Sequence, residues 1–166
     1  MVLLAGISPA SDLVGLWRGV GIPSGHRLDG VLENLRWTGK RFHPDFRADG
    51  LLFQWRPDSL VPIEPSFLPI RLAIRIAPFG RTFVARTVFP YLQNMLRARG
   101  TTASAKLRMV DGEETAAMVY DKQQIVDYYR RIDDHEVAGM MCVEGDERRY
   151  FFRLRKVEPS FRDGVA

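Results

Sequence analysis

Alternating runs near the C-terminus constrain this chain most. "ASAKLRMVDGEETAAMVYD", residues 103–121, exchanges apolar and polar side chains around "VDGEE". Such a pattern about a glycine-bearing turn predicts an antiparallel hairpin. "EVAGMMCVEGDERRYFFRLRKV", residues 136–157, predicts two more strands. In the last of them Tyr150, Phe152 and Leu154 share one face, and Phe151, Arg153 and Arg155 share the other. A sheet built from such strands has one face to bury and two edges to hide, and a closed barrel does both. The fold class is therefore mainly β, an antiparallel barrel into which helices are inserted as a lid.

A chain of 166 residues is read as one domain with three zones. The first, 11–56, opens with "LVGLWRGVGIP", a strand whose glycines at 15, 19 and 21 suit a bent barrel strand. Leu28, Val31, Leu32 and Leu35 then fall at helical spacing, and "RWTGKRF" and "LLFQW" read as strands around the loop "HPDFRADG". The middle zone, 57–100, begins with Pro57, Pro62, Pro65 and Pro69. "PIRLAIRIAPF" is open between strand and helix. Phe83, Val84, Thr87, Val88, Tyr91, Leu92, Met95 and Leu96 form a helical stripe, with Pro90 inside it. In the last zone, 101–158, Ile125, Tyr128, Tyr129 and Ile132 fall at i, i+3, i+4 and i+7, which predicts a helix capped by Asp121 with Gln124 as capping-box partner.

The net charge of +4 mildly favours anionic partners, but no nucleic-acid-binding motif accompanies it, so nucleic acid is not an expected partner. The single cysteine, Cys142, excludes an internal disulfide and reads as an inert thiol of a reducing compartment. "MVLLAGISPA" lacks a basic n-region, and no apolar run is long enough for a membrane span, so a cytoplasmic location is expected. The three histidines have no paired spacing and no cysteine companions, so no metal is expected. GxSxG, GxGxxG and phosphate-loop motifs are absent from the sequence.

"GLWRG", residues 15–19, resembles the glycine-x-tryptophan opening of the calycins, which include lipocalins and intracellular fatty-acid-binding proteins. That resemblance implies that Trp17 plugs one barrel end beneath a basic residue of the last strand, with Arg155 the candidate. A closer resemblance is to the bacterial GXWXG family with its companion C-terminal domain of unknown function. "GLWRGVGIPSGHRLDGVLENLRWTGKRF" is similar to its first part, and "AKLRMVDGEETAAMVYDKQQIVDYYRRIDDHEVAGMM" with "YFFRLRK" to its second. Gln124 stands where that family usually has proline. "WRGVG" is also similar to the haem-binding nitrobindins, which use a histidine near their C-terminal strands. The one histidine there, His135, lies in the turn "DDHE", so haem is a minor alternative and no cofactor is expected.

Two polar groups are candidates for a site. "SGHRLDG" supplies His26 and Asp29, with Lys40 following, a set able to hold an acid group or move a proton at a pocket mouth, or to fix a helix against the barrel. Tyr120 and Asp127 form the second; either they orient a ligand's polar end, or Tyr120 is core. Trp37, Met109, Met118 and Phe152 complete an apolar, adaptable lining. The leading expectation is binding or carriage of a small hydrophobic ligand, a lipid or fatty acid, with the helices of 66–97 as a portal able to touch an anionic membrane surface. The alternatives are a metal-free enzyme using acid–base chemistry on a hydrophobic substrate, a haem-binding barrel, and a packed interaction domain. Oligomeric state stays open.

Overall fold

The computed structural model describes residues 4–158. Its strands are β1 (Ala5–Gly6), β2 (Gly15–Ile22), β3 (Trp37–Phe42), β4 (Arg47–Arg56) and β5 (Ser59–Pro62), followed by β6 (Ala103–Val110), β7 (Glu113–Tyr120), β8 (Ile125–Arg131), β9 (Glu136–Val143) and β10 (Arg149–Lys156). Three α-helices intervene: α1 (Val31–Asn34), α2 (Ile70–Gly80) and α3 (Phe83–Gln93). Eight strands form a closed antiparallel ring in the order β8-β7-β6-β4-β3-β2-β10-β9, with β9 pairing back to β8. β5 adds to β4, and β1 to β8. Closure leaves no free edge in the ring, as the alternating C-terminal runs require.

The segment 125–131 is a strand, not the expected helix. Ile125, Asp127 and Tyr129 are buried while Val126, Tyr128 and Arg130 are partly exposed, a period of two. β-Branched and aromatic residues fill it, and ladders from β7 and β9 on either side outweigh its local helical spacing. Asp121 is accordingly no helix cap; its carboxylate is paired with Arg47. The segment 66–77, open between strand and helix, resolves without a strand: a 3-10 turn at Pro65–Phe67 precedes α2, which begins after Pro69 and runs through Pro78.

Trp17 is buried, and its indole N–H donates to the Leu13 carbonyl at 2.6 Å. The cation over its ring is Lys156, with Nζ 5.5 Å from the ring centroid, and not Arg155. The β2–β10 register places the lysine there. Lys156 lies directly opposite Trp17, whereas Arg155 lies opposite Arg18 on the outer face and approaches Glu136. Parity along β10 sends Tyr150, Phe152 and Leu154 inward and the arginines out.

In a ring of antiparallel strands, successive connections alternate between the two ends. α2 lies across the end formed by the β2–β3, β7–β8 and β9–β10 connections. Its first backbone N–H, at Ile70, donates to Gln123 Oε1 at 3.3 Å. Arg71 reaches the Glu144 carbonyl, and Arg81 reaches the carbonyls of Arg27 and Asp29. Asn34 Nδ2 donates to Gly80 and Thr82 at 2.8 and 2.9 Å, fastening the turn between α2 and α3. Ile74 and Ala77 supply the buried face of α2, and Phe89 of α3 packs edge-on against Phe53. The inserted helices therefore form a lid strapped to three loops.

Candidate functional site

The interior is shaped first by an irregularity in β3. Strict alternation would send Trp37 and Lys40 to opposite faces of the sheet. The β3–β4 register instead shifts on both sides of Gly39, and Trp37, Lys40 and Phe42 are all buried. Gly39 has φ +153°, and a Cβ there would overlap the Trp17 carbonyl, so only glycine fits this bulge. The bulge carries the Lys40 ammonium into the barrel.

Lys40 is 3% exposed and Asp127, across the barrel on β8, is 1% exposed. Lys40 Nζ lies 2.9 Å from Asp127 Oδ2, 2.9 Å from the Gly50 carbonyl and 3.1 Å from the Tyr120 hydroxyl. Rings of Trp37, Tyr120 and Phe152 surround it, with centroids 5.2–5.7 Å away. The ammonium is thus satisfied by two oxygens, a carboxylate and three π faces. The carboxylate is not. Its contact with Lys40 is close enough for an ion pair, but neither Asp127 oxygen accepts an aligned hydrogen bond. Burial pushes the Asp127 carboxyl up, partly offset by Lys40. Burial likewise pushes the Tyr120 and Tyr129 hydroxyls well up, with the Asp127 charge adding to both.

More unpartnered polar atoms face the same interior. The Trp37 indole N–H and the Tyr129 hydroxyl are buried with no hydrogen-bond partner, and the Tyr150 hydroxyl, also unpartnered, lies toward Gly21 and the Glu33 carboxylate at the end covered by α2. Phe152 joins these groups: its ring meets Trp37 and Tyr129 edge-on at 6.1 Å and stacks on Tyr150 at 6.2 Å. Glycines on the wall admit the rings, since a Cβ on Gly19 would overlap Trp37 and one on Gly139 would overlap Phe152. Leaving a buried polar group unpaired costs about 1–3 kcal/mol.

A second group sits at the end covered by α2. His26 is buried with its ring 5.7 Å from Tyr150. Its Nδ1 accepts from the Leu28 N–H at 3.1 Å, so the neutral ring carries its proton on Nε2. Burial lowers its pKa below 6.5, more than Asp29 raises it. Asp29 Oδ2 accepts from the N–H groups of Ser24 and Gly25 at 2.9 and 2.8 Å and so holds the loop. The expected convergence of His26, Asp29 and Lys40 does not occur. The first two lie at the mouth, whereas Lys40 joins Tyr120 and Asp127 within.

Met118 is fully buried, on the same face of β7 as Tyr120. Met109 is 63% exposed, because β6 runs past its pairing with β4, which involves only Ser104 and Ala103, and its far end has no barrel above it. Met109 therefore lines no interior. Cys142 is half-buried, and burial raises its thiol pKa despite Arg149 nearby. His135 is exposed in the β8–β9 turn with Nδ1 3.4 Å from Glu158, so it cannot ligate a haem held inside. A concavity of about 490 Å³ lies outside the barrel, against Arg18, Val20, Arg153 and Arg155, near Glu136.

The interior residues that sequence reasoning missed are Tyr129, Tyr150 and the Gly50 carbonyl. Tyr129 shares the parity of Asp127 and was hidden by the helical reading of β8. Tyr150 shares the inward face of β10 with Phe152.

Fold and interior together define a closed eight-stranded antiparallel barrel whose aromatic core encloses a lysine–aspartate pair. The model of the GXWXG protein family matches residues 4–56, and that of the domain of unknown function DUF4334 matches residues 103–156. The chain thus carries a GXWXG segment and its companion domain, each over about a third of its length, and strands of both matched segments close one barrel. A crystal structure of a protein from Thermomonospora curvata is similar at 28% identity, with a TM-score of 0.65, covering 93% of this chain and 81% of that one. No curated protein matches the chain.

Proposed function

We propose that the barrel binds a small, largely apolar molecule whose polar head sits among Trp37, Asp127 and Tyr129, beside Lys40. The observation that carries this reading is the set of buried, unpartnered polar atoms in an aromatic interior. Pockets for such ligands are mostly apolar, with a few placed polar groups. The head's chemistry follows from what is missing: it accepts from the Trp37 N–H and the Tyr129 hydroxyl and donates to Asp127. An alcohol, an amide or a protonated acid does this, and so does a fatty acid in its neutral form. An ionised carboxylate meets the charge of Asp127. Because the rings of Trp37, Phe42, Tyr129 and Phe152 occupy the interior, entry requires α2 to lift and these rings to turn.

Native mass spectrometry of the purified protein, with solvent extraction, tests the reading. A bound mass of a few hundred daltons is expected, weakened in Tyr129→Phe and Asp127→Asn. A clean apo mass, together with failure of apolar alcohols and fatty acids to bind, overturns it.

A second reading, acid–base chemistry on the same bound molecule, is favoured by one observation. Burial raises the pKa of the Asp127 carboxyl, partly offset by the Lys40 ammonium 2.9 Å away, and the Tyr120 hydroxyl lies 3.1 Å from that ammonium. It predicts that extracted ligand returned to fresh protein changes mass; recovery of the unchanged molecule removes it.

A further inference from the structure

Most of the helical stripe of residues 83–96 points outward. On α3 the buried positions are Ala85 and Gln93, with Phe89 partly buried. Phe83, Tyr91 and the following Met95 are 80%, 78% and 76% exposed. α2 repeats the pattern: Ile74 and Ala77 face the barrel, while Leu72, Ile76 and Phe79 face away from it. Side chains of this size, grouped on the outer faces of two consecutive helices, lack a partner in the described fold.

Charge says what covers them. Between Glu64 and Asp111 the chain has eight Lys or Arg residues and no Asp or Glu, although its net charge is only +4. The rest of the chain is thus net negative. Arg75, Arg86, Arg97 and Arg99 are exposed and, among the described residues, in no ion pair, whereas Arg71 and Arg81 are turned to the loop carbonyls beneath the lid. A second copy docked face to face would bring two such acid-free arginine fields together. A fluid bilayer accepts irregular apolar protrusions without complementary shape and supplies anionic headgroups to their flanking arginines.

We propose that the outer face of α2 and α3 docks on an anionic lipid surface, with Phe83, Tyr91 and Met95 entering the headgroup region and the arginines pairing with lipid phosphates. This holds whatever the barrel contains, since it uses the opposite side of the lid.

Vesicle flotation of the full chain tests it, comparing phosphatidylcholine alone with phosphatidylcholine containing about a third phosphatidylglycerol. Recovery about tenfold higher on the anionic vesicles is expected, falling as salt rises from about 0.1 M to 0.5 M. Phe83→Ser with Met95→Ser, and separately Arg86→Glu with Arg97→Glu, lower that recovery. All four side chains are exposed, and an unchanged circular dichroism spectrum confirms that the variants fold. Equal recovery on both vesicles, no recovery on either, or recovery unaffected by both variants overturns the proposal. So does a concentration-dependent dimer that the serine pair abolishes.

Discussion

Lys40 meets three oxygens and three rings, while Asp127 has only Lys40. Removing the lysine leaves a buried carboxylate uncompensated, which typically costs about 3–5 kcal/mol. Lys40→Ala is therefore expected to lower the guanidinium unfolding midpoint by that equivalent. Lys40→Met with Asp127→Leu should recover most of the loss, because a well-packed apolar pair replaces a buried ion pair at little cost. A double variant as unstable as the single one would mean that the pair is needed for folding and not retained for a ligand. His26 gives a pH signature. Burial holds its pKa below 6.5, so its contribution to stability is complete above that value and is lost as pH falls through the lowered pKa. Protonation also removes the acceptor of the Leu28 N–H. Between about pH 8 and pH 5 the wild type is expected to lose more stability than His26→Gln, measured by urea unfolding at each pH. Parallel curves would mean that His26 titrates alike folded and unfolded.

Among the elements, β3 does most to build the interior, through a bulge that a regular strand lacks. Gly39→Ala forces a Cβ onto the Trp17 carbonyl and is expected to cost about 3 kcal/mol. If the variant folds, it should shift the fluorescence of Trp37 by displacing Lys40 from its ring; unchanged stability and emission would place the bulge elsewhere. The lid has its own fastening. Asn34→Ala removes both hydrogen bonds to the α2–α3 turn, at about 1–3 kcal/mol, and should speed amide exchange in α2 ahead of the strands. Uniform exchange across the protein would mean that the lid and barrel open together. These elements also show where local pattern stops being informative. The hairpins β6–β7 and β9–β10 were legible because two short strand-like runs flank a glycine-bearing turn in each, with clean alternation in β10. β8 was not, since Ile125, Tyr128, Tyr129 and Ile132 fit a helical spacing equally well until two neighbouring ladders decide. Lys40 was legible as a candidate, but its place inside depends on a register shift that no side-chain pattern announces. Arg155 and Lys156 differ by one residue in register, and parity alone separates them.

Across the whole molecule, barrel closure brings Lys40 from one matched segment against Tyr120 and Asp127 from the other. The site therefore belongs to neither segment alone. Closure was readable from the need to bury one face and hide two edges. The partnership of residues eighty positions apart was not, because it is set by strand order around the ring. The proposed ligand's head must meet the unpartnered atoms of Trp37, Asp127 and Tyr129. A high-resolution crystal structure of the protein as purified tests this most directly, through the electron density beside the Trp37 indole N–H and the Asp127 and Tyr129 oxygens. Continuous density for an organic molecule is expected, with its polar end on these atoms and its body against Phe152 and Met118. Ordered water alone on those atoms, kept after soaking with apolar alcohols and acids, would contradict it.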